Sequence, residues 1–366
     1  MVVKNADAPA SPASRQSPSG NDSGDNKQKL SYDKPNVRWN PPPDGFDPLH
    51  ASPEELARYY FPPRPDGAAA PRALANWARA MSPPLSFVRG PISSVTKVEP
   101  WGVAGGHDAD PPDQEWSKNW SGAYIRPGGP DRFHLIEGMW IVPRPYPPPG
   151  YVFTTTSPPI EFGSSAWVGL DGHDPTSMSL PQIGTAHFFK VENGVGQSKI
   201  YAWWQWWVRN QQDEQVVPLG LFPVEAGDLI YCRVEVTAPA QVNLFIKNQS
   251  AGAVIALLVD APVLQNPPSN PPILEVQGRT ADWILERPTI QGSTTLFTLP
   301  NYGSVLFYAC NAAVAAGGSC KELQLERARY VRMVDWDDPT HRGQTVSTAV
   351  PQTDSSILVC YRGNLP

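Results

Sequence analysis

The chain has 366 residues, and its 35 acidic against 29 basic side chains give a net charge of −6, with no basic footprint for nucleic acid. Its 43 prolines and 13 tryptophans argue against a mostly helical protein and for strands, turns and extended connections. Neither a GxxxxGKS/T loop nor an HExxH pair occurs, so no metal and no cofactor is expected.

Residues 1–50 are rich in Ser, Pro, Asp, Asn and Gly, with almost nothing apolar before Leu30. Such a stretch cannot bury enough surface to offset its ordering entropy and is expected to be disordered. Met1-Val2-Val3-Lys4-Asn5-Ala6-Asp7 lacks the apolar run of a secretory signal. No stretch approaches the ~20 apolar residues of a membrane helix, so no membrane partner is expected. The compartment is not readable from these residues.

Ser52-Pro53-Glu54-Glu55 is a helix start: a Ser cap, Pro in the first helical position and acids in the first turn. Pro62-Pro63 stops it. A second helical piece covers Pro71 to Met81, with Leu74, Trp77, Ala78 and Met81 on one side. Both are too short to stand alone. Residues 51–115 therefore read as short helices and linker that dock downstream, either across a cleft as a pro-segment or on the outside as an extension.

From Trp116 the texture becomes β. Runs of 5–9 residues alternate with turn signals at Asp171-Gly172, Asn193-Gly194, Gly227-Asp228 and Asn301-Tyr302-Gly303. No βαβ alternation appears, so 116–366 reads as one antiparallel sandwich. Cys232, Cys310, Cys320 and Cys360 have no CxxC spacing. Cys310 and Cys320 flank a loop of small residues and could be bridged or free.

Strand alternation sorts residues by face. In Ile200 to Val208, Tyr201, Trp203, Gln205 and Trp207 share one face, while Ala202, Trp204, Trp206 and Val208 share the other. Two indoles flanking an amide make a platform for a peptide or a sugar. The same sorting groups Trp167, Gly169 and Asp171, and separately Asp282, Ile284 and Glu286. These residues alone define an all-β sandwich with an aromatic groove.

Six motifs then occur in one order: Asn119-Trp120-Ser121-Gly122, Ser165-Ala166-Trp167-Val168-Gly169-Leu170-Asp171-Gly172, Leu180-Pro181-Gln182-Ile183-Gly184, Ala202-Trp203-Trp204-Gln205-Trp206, Asp282-Trp283-Ile284-Leu285-Glu286 and Tyr302-Gly303-Ser304-Val305. Together they resemble the glutamic peptidases (eqolisins), whose motifs read NWAG, SAWVGIDG, LQTG, AWYEW, EWIVE and FGSV. The resemblance implies a concanavalin-like sandwich of two seven-stranded antiparallel sheets. It implies an acid endopeptidase with Gln182 and Glu286 as catalytic dyad, supported by Trp167, Asp171, Trp203 and Gln205. It also implies a polypeptide substrate, a monomer and a secreted setting.

The chain departs from the family at Ala186, Tyr201 and Gln205, where other members carry acids, and at Pro181. Three carboxylates around the dyad are missing, which lowers the negative potential of the cleft. An alternative that keeps the groove without turnover is a binding module for peptide or glycan. Gln182 and Glu286 side chains within reach of one shared water favour the enzyme, and on opposite faces of the sandwich the binder.

Overall fold

The computed structural model of the chain describes residues 31–89, 101–102, 115–155, 159–209, 216–265, 271–272, 274–290, 293, 295–316, 319–336 and 343–363. Most of residues 1–50 and of the linker 90–114 lie outside these. The fold is an all-β sandwich made by one continuous ladder that turns back on itself.

The front sheet runs, by hydrogen bonding, Val195–Val208, Ser179–Glu192, Ile160–Leu170, Ala281–Glu286, Trp120–Ile125, Arg329–Asp335 and Gln344–Thr353. The hairpin from Gln344–Thr353 to Ser356–Tyr361 carries the ladder over. The back sheet continues through Ser304–Ala316, Arg132–Ile141, Leu229–Ala238, Gln241–Asn248 and Ala253–Asp260 to Val37–Arg38. The continuous ladder thus gives each layer seven strands, to which Val217–Pro218, Ser86–Phe87, Ser319–Leu323 and Glu115–Ser117 add short pairings. Among the described residues the two outermost strands do not pair with each other, so the sandwich is open.

Alternation explains which side chains fill the interior. Trp140, Trp204, Trp206 and Trp283 lie between the sheets with Ile183, Ile230, Leu244 and Val305. The expected Asn193-Gly194 turn forms with both residues at positive φ (51° and 73°). That geometry matches the twist of the two long strands it joins.

The N-terminal segment packs on the outer face of the back sheet, opposite the front sheet's outer face. Helix α1, Pro53–Arg58, starts on the expected capping box between Ser52 and Glu55. Helix α2, Pro71–Met81, buries Ala73, Asn76, Trp77, Ala80 and Met81. Leu74 and Ala78, expected on the packed side, are only half-buried. Both pack against the same cluster as Trp77 and Met81, and beside them Asn76 Nδ2 donates to the buried Glu137 carboxylate at 2.9 Å. Glu137 also accepts from Tyr231 Oη at 2.6 Å and Asn311 Nδ2 at 3.0 Å, and pairs with Arg233 at 3.4 Å. Glu322 accepts from the N–H groups of Arg72 and Ala73 at the α2 N-terminus, where a carboxylate complements the helix dipole.

Residues 31–50 extend this packing rather than ending at a disordered boundary. Phe46 packs edge-on against Tyr59, Phe61 and Phe87, and Val37–Arg38 forms the seventh back strand. The apolar surface missing from residues 1–30 begins here.

All four cysteines are free, Cys310 buried and Cys320 half-buried. The hairpin register sets Cys320 opposite Ala315, well past Cys310, so the bridged alternative is not formed. No helix among the described residues is long and apolar enough to cross a membrane.

Candidate active site

The outer face of the front sheet carries the predicted site residues in lateral rows set by strand register. In one row Trp120, Glu286, Ser165, Ala186 and Tyr201 stand side by side. The next holds Gly122, Ile284, Trp167, Gly184 and Trp203. The third holds Tyr124, Asp282, Gly169, Gln182 and Gln205. Glu286 and Gln182 therefore share a face but lie on a diagonal, offset by two strands and four residues. On a flat sheet that diagonal is roughly 16 Å between Cα atoms. Trp167 occupies its middle.

Glycine makes room for this arrangement. A Cβ on Gly184 would lie 2.6 Å from Trp167 Cβ and 2.2 Å from Ala166 O. One on Gly169 would lie 3.1 Å from Gln182 Cβ. Any side chain there would displace the indole or the amide.

The carboxylate of Glu286 is fully buried and held on both oxygens. Trp167 Nε1 donates to Oε2 at 2.8 Å, and Asn119 Nδ2 donates to Oε1 at 3.1 Å. Trp120 packs edge-on against Trp167 at 5.2 Å. The two donors fix the orientation of the carboxylate.

Gln182 is also fully buried. Its Nε2 donates to Gln205 Oε1 at 3.2 Å. Among the described residues, Gln182 Oε1 and Gln205 Nε2 have no protein partner. The two amides thus leave an acceptor oxygen on Gln182 and unengaged N–H groups on Gln205 inside a buried face, the two kinds of function that pair with a peptide bond.

Trp203 shares the face as predicted, across Gly184 from Trp167. Asp171 does something other than line the groove. Its carboxylate accepts from the backbone N–H groups of Gln277, Gly278 and Arg279 at 2.5, 3.0 and 2.6 Å. It fastens the loop that leads into Ala281–Glu286. Burial, offset by those bonds, pushes its carboxyl up to about 6.

Asp282 lies on the same face, in the row of Gln182, and was not singled out beyond its face. Burial, opposed by the Thr280 hydroxyl at 2.9 Å and reinforced by the Asp171 charge, pushes its carboxyl up to about 8. Asn119 precedes the strand, where alternation gives no direction. Its bond to Glu286 is visible only in three dimensions.

The missing acids can be located. Ala186 and Tyr201 complete the lateral row of Glu286, which holds no other acid, and Gln205 neighbours Gln182, whose row holds Asp282 on the far side of Gly169. Phe188 and Tyr201 stack at 6.0 Å with Phe297 edge-on to Phe188. The whole face is closed to solvent: Glu286, Gln182, Trp167 and Trp203 are 0% exposed. Near Glu286, Trp101–Gly102 pairs with Thr289–Ile290. Among the described residues no group of three or more His, Cys, Asp or Glu is arranged to hold a metal ion.

An all-β sandwich with a buried amide and a doubly held carboxylate on one face defines the class. The Peptidase A4 family model matches residues 118–361. The chain belongs to this family, the glutamic peptidases, and is a peptide-bond hydrolase. Among solved structures it is similar to a scytalido-glutamic peptidase bound to a transition-state analogue, at 18% identity and a TM-score of 0.48, covering 67% of this chain and 98% of that one. It is also similar to aspergilloglutamic peptidase from Aspergillus niger, at 22% identity and a TM-score of 0.41, covering 55% and 99%. No curated protein matches the chain.

Proposed function

We propose that the protein is a glutamic-type endopeptidase in which Gln182 and Glu286 act on one scissile peptide of an unfolded polypeptide, in acid solution and as a monomer. The observation that carries this reading is the buried Glu286 carboxylate, held by Trp167 and Asn119 on the face that also holds Gln182.

Ionised Glu286 takes a proton from a water, whose oxygen adds to the scissile carbonyl carbon. The carbonyl oxygen becomes an oxyanion and accepts a hydrogen bond from the second N–H of Gln182 Nε2, the first being engaged by Gln205. Gln182 Oε1 is then the acceptor that holds the water. Protonated Glu286 returns its proton to the amide nitrogen as the C–N bond breaks, leaving a carboxylic acid and an amine.

The closed face supports a further part of this proposal: residues before about 115 act as a pro-segment. The helices dock on the back sheet, so the inhibitory part is the linker around Trp101–Gly102, which pairs beside the Glu286 strand. Cleavage near 100–118 then precedes activity. If a full-length chain that resists this cleavage is active from time zero, the pro-segment reading is wrong.

The test of the dyad is hydrolysis of a denatured protein at pH 3 to 6 by wild type, Glu286→Gln and Gln182→Ala. Equal cleavage by all three rejects it.

A further inference from the structure

The strand Glu115–Ser117, which enters the fold directly after the linker, runs parallel to Arg329–Asp335. Its last residue starts a short relay toward Glu286. Ser117 Oγ accepts from the backbone N–H of Asn119 and of Trp120, at 3.2 and 3.1 Å. It donates to Asn119 Oδ1 at 2.9 Å. With its oxygen taken, the Asn119 amide presents its nitrogen to Glu286. The main chain is tied at the same point, since Arg287 N donates to Asn119 O at 2.7 Å. Ser117, Asn119 and Glu286 are all buried.

We propose that Asn119 is a positioning residue of this peptidase: with Trp167 it holds Glu286 as an ionised carboxylate and thereby sets the acid limb of the pH–activity profile. The inference rests on Glu286 being the general base. A donor on the charged form lowers the pH at which a carboxyl ionises. A hydrogen bond to a charged group is worth about one to two pH units. Ser117 acts one step back by fixing which end of the amide faces the carboxylate.

The groups around the carboxylate leave this contribution separable. Trp120, Ser165 and Trp167, from the two strands flanking Glu286, carry no charge. Arg287, next in the chain, is paired with Asp335 of Arg329–Asp335 at 3.5 Å. Asp282 lies two periods of the alternation further along the same strand and face, Lys118 precedes Asn119, and Glu115 is bound to His173 and Arg329. All of these remain in place when Asn119 is changed.

The experiment measures kcat and KM across pH for wild type, Asn119→Ala, Asn119→Asp and Ser117→Ala, with Glu286→Gln alongside. Asn119→Ala should move the acid limb of kcat upward by about one to two pH units, with KM within about twofold and activity recovering above the limb. Asn119→Asp keeps the shape but replaces a donor by an acceptor, and should move the limb further. Ser117→Ala should move it the same way by less. A uniform loss of kcat with an unmoved limb overturns the inference and leaves Asn119 as scaffold. If the Asn119 variants do not fold, an unmoved limb in Ser117→Ala overturns it alone. Activity retained by Glu286→Gln instead rejects the dyad itself, a distinct result.

Discussion

Replacing Asp282 by asparagine removes a proton-binding site from the face that holds Gln182. The Asp282 carboxyl is wholly buried, accepts from the Thr280 hydroxyl at 2.9 Å, and is pushed up to about 8 by burial first and the Asp171 charge after it. Its ordinary value is about 3.9. The folded chain therefore binds this proton more tightly than the unfolded chain. Its stabilising contribution is complete below about pH 4 and is lost as pH rises toward 8. Each pH unit in that window costs about 1.4 kcal/mol, or on the order of 4 kcal/mol by pH 7. That is a large share of the roughly 5–15 kcal/mol that holds a native protein together. Asp282→Asn keeps the shape and an acceptor for Thr280 but binds no proton. Urea midpoints at pH 4, 5.5, 7 and 8 should coincide for the two proteins at pH 4, with the variant more stable at pH 7. Parallel curves over the whole range would refute the reasoning.

His187 works in the opposite direction. It is buried between the sheets beside Thr185 at 2.9 Å, and burial pulls its imidazole down to about 3. Folding then loses stability as pH falls from about 6.5 toward 3, and His187→Gln should flatten that acid-side loss in the same urea series. Gln205→Leu frees the Gln182 amide, and kcat/KM should fall about two- to tenfold with the melting temperature little changed. Asn76→Ala leaves the buried Glu137 carboxylate one donor short and should cost about 1.5–3 kcal/mol, read as an earlier thermal transition. A transition unmoved within error would mean that Asn76 does not fasten the N-terminal segment to the back sheet.

Much of the fold was legible because alternation has a period of two. The nine residues from Ile200 to Val208 divide between the two faces as their order dictates. The α1 start was legible because a capping box is local. The α2 face was legible too, since Trp77 and Met81 are buried and Leu74 and Ala78 pack against the same cluster, whereas the bond from Asn76 to Glu137 on a distant strand was not. Asp171 was expected in the groove but serves a loop more than a hundred residues away in sequence. The bond from Asn119 to Glu286 depends on register between Trp120–Ile125 and Ala281–Glu286, which no local pattern encodes. The closing of the face against solvent is a property of the assembled chain, and composition does not contain it.

The diagonal from Gln182 to Glu286 is where the central claim is most exposed. The direct measurement is a crystal structure of the processed chain bound to a peptide ketone, whose hydrate stands in for the tetrahedral intermediate. One hydroxyl of the hydrate should lie within hydrogen-bond distance of a Glu286 oxygen, with the other oxygen on Gln182 Nε2. A hydrate that engages neither side chain, or is held by other groups while both stay buried among Trp167 and Gln205, would contradict the account.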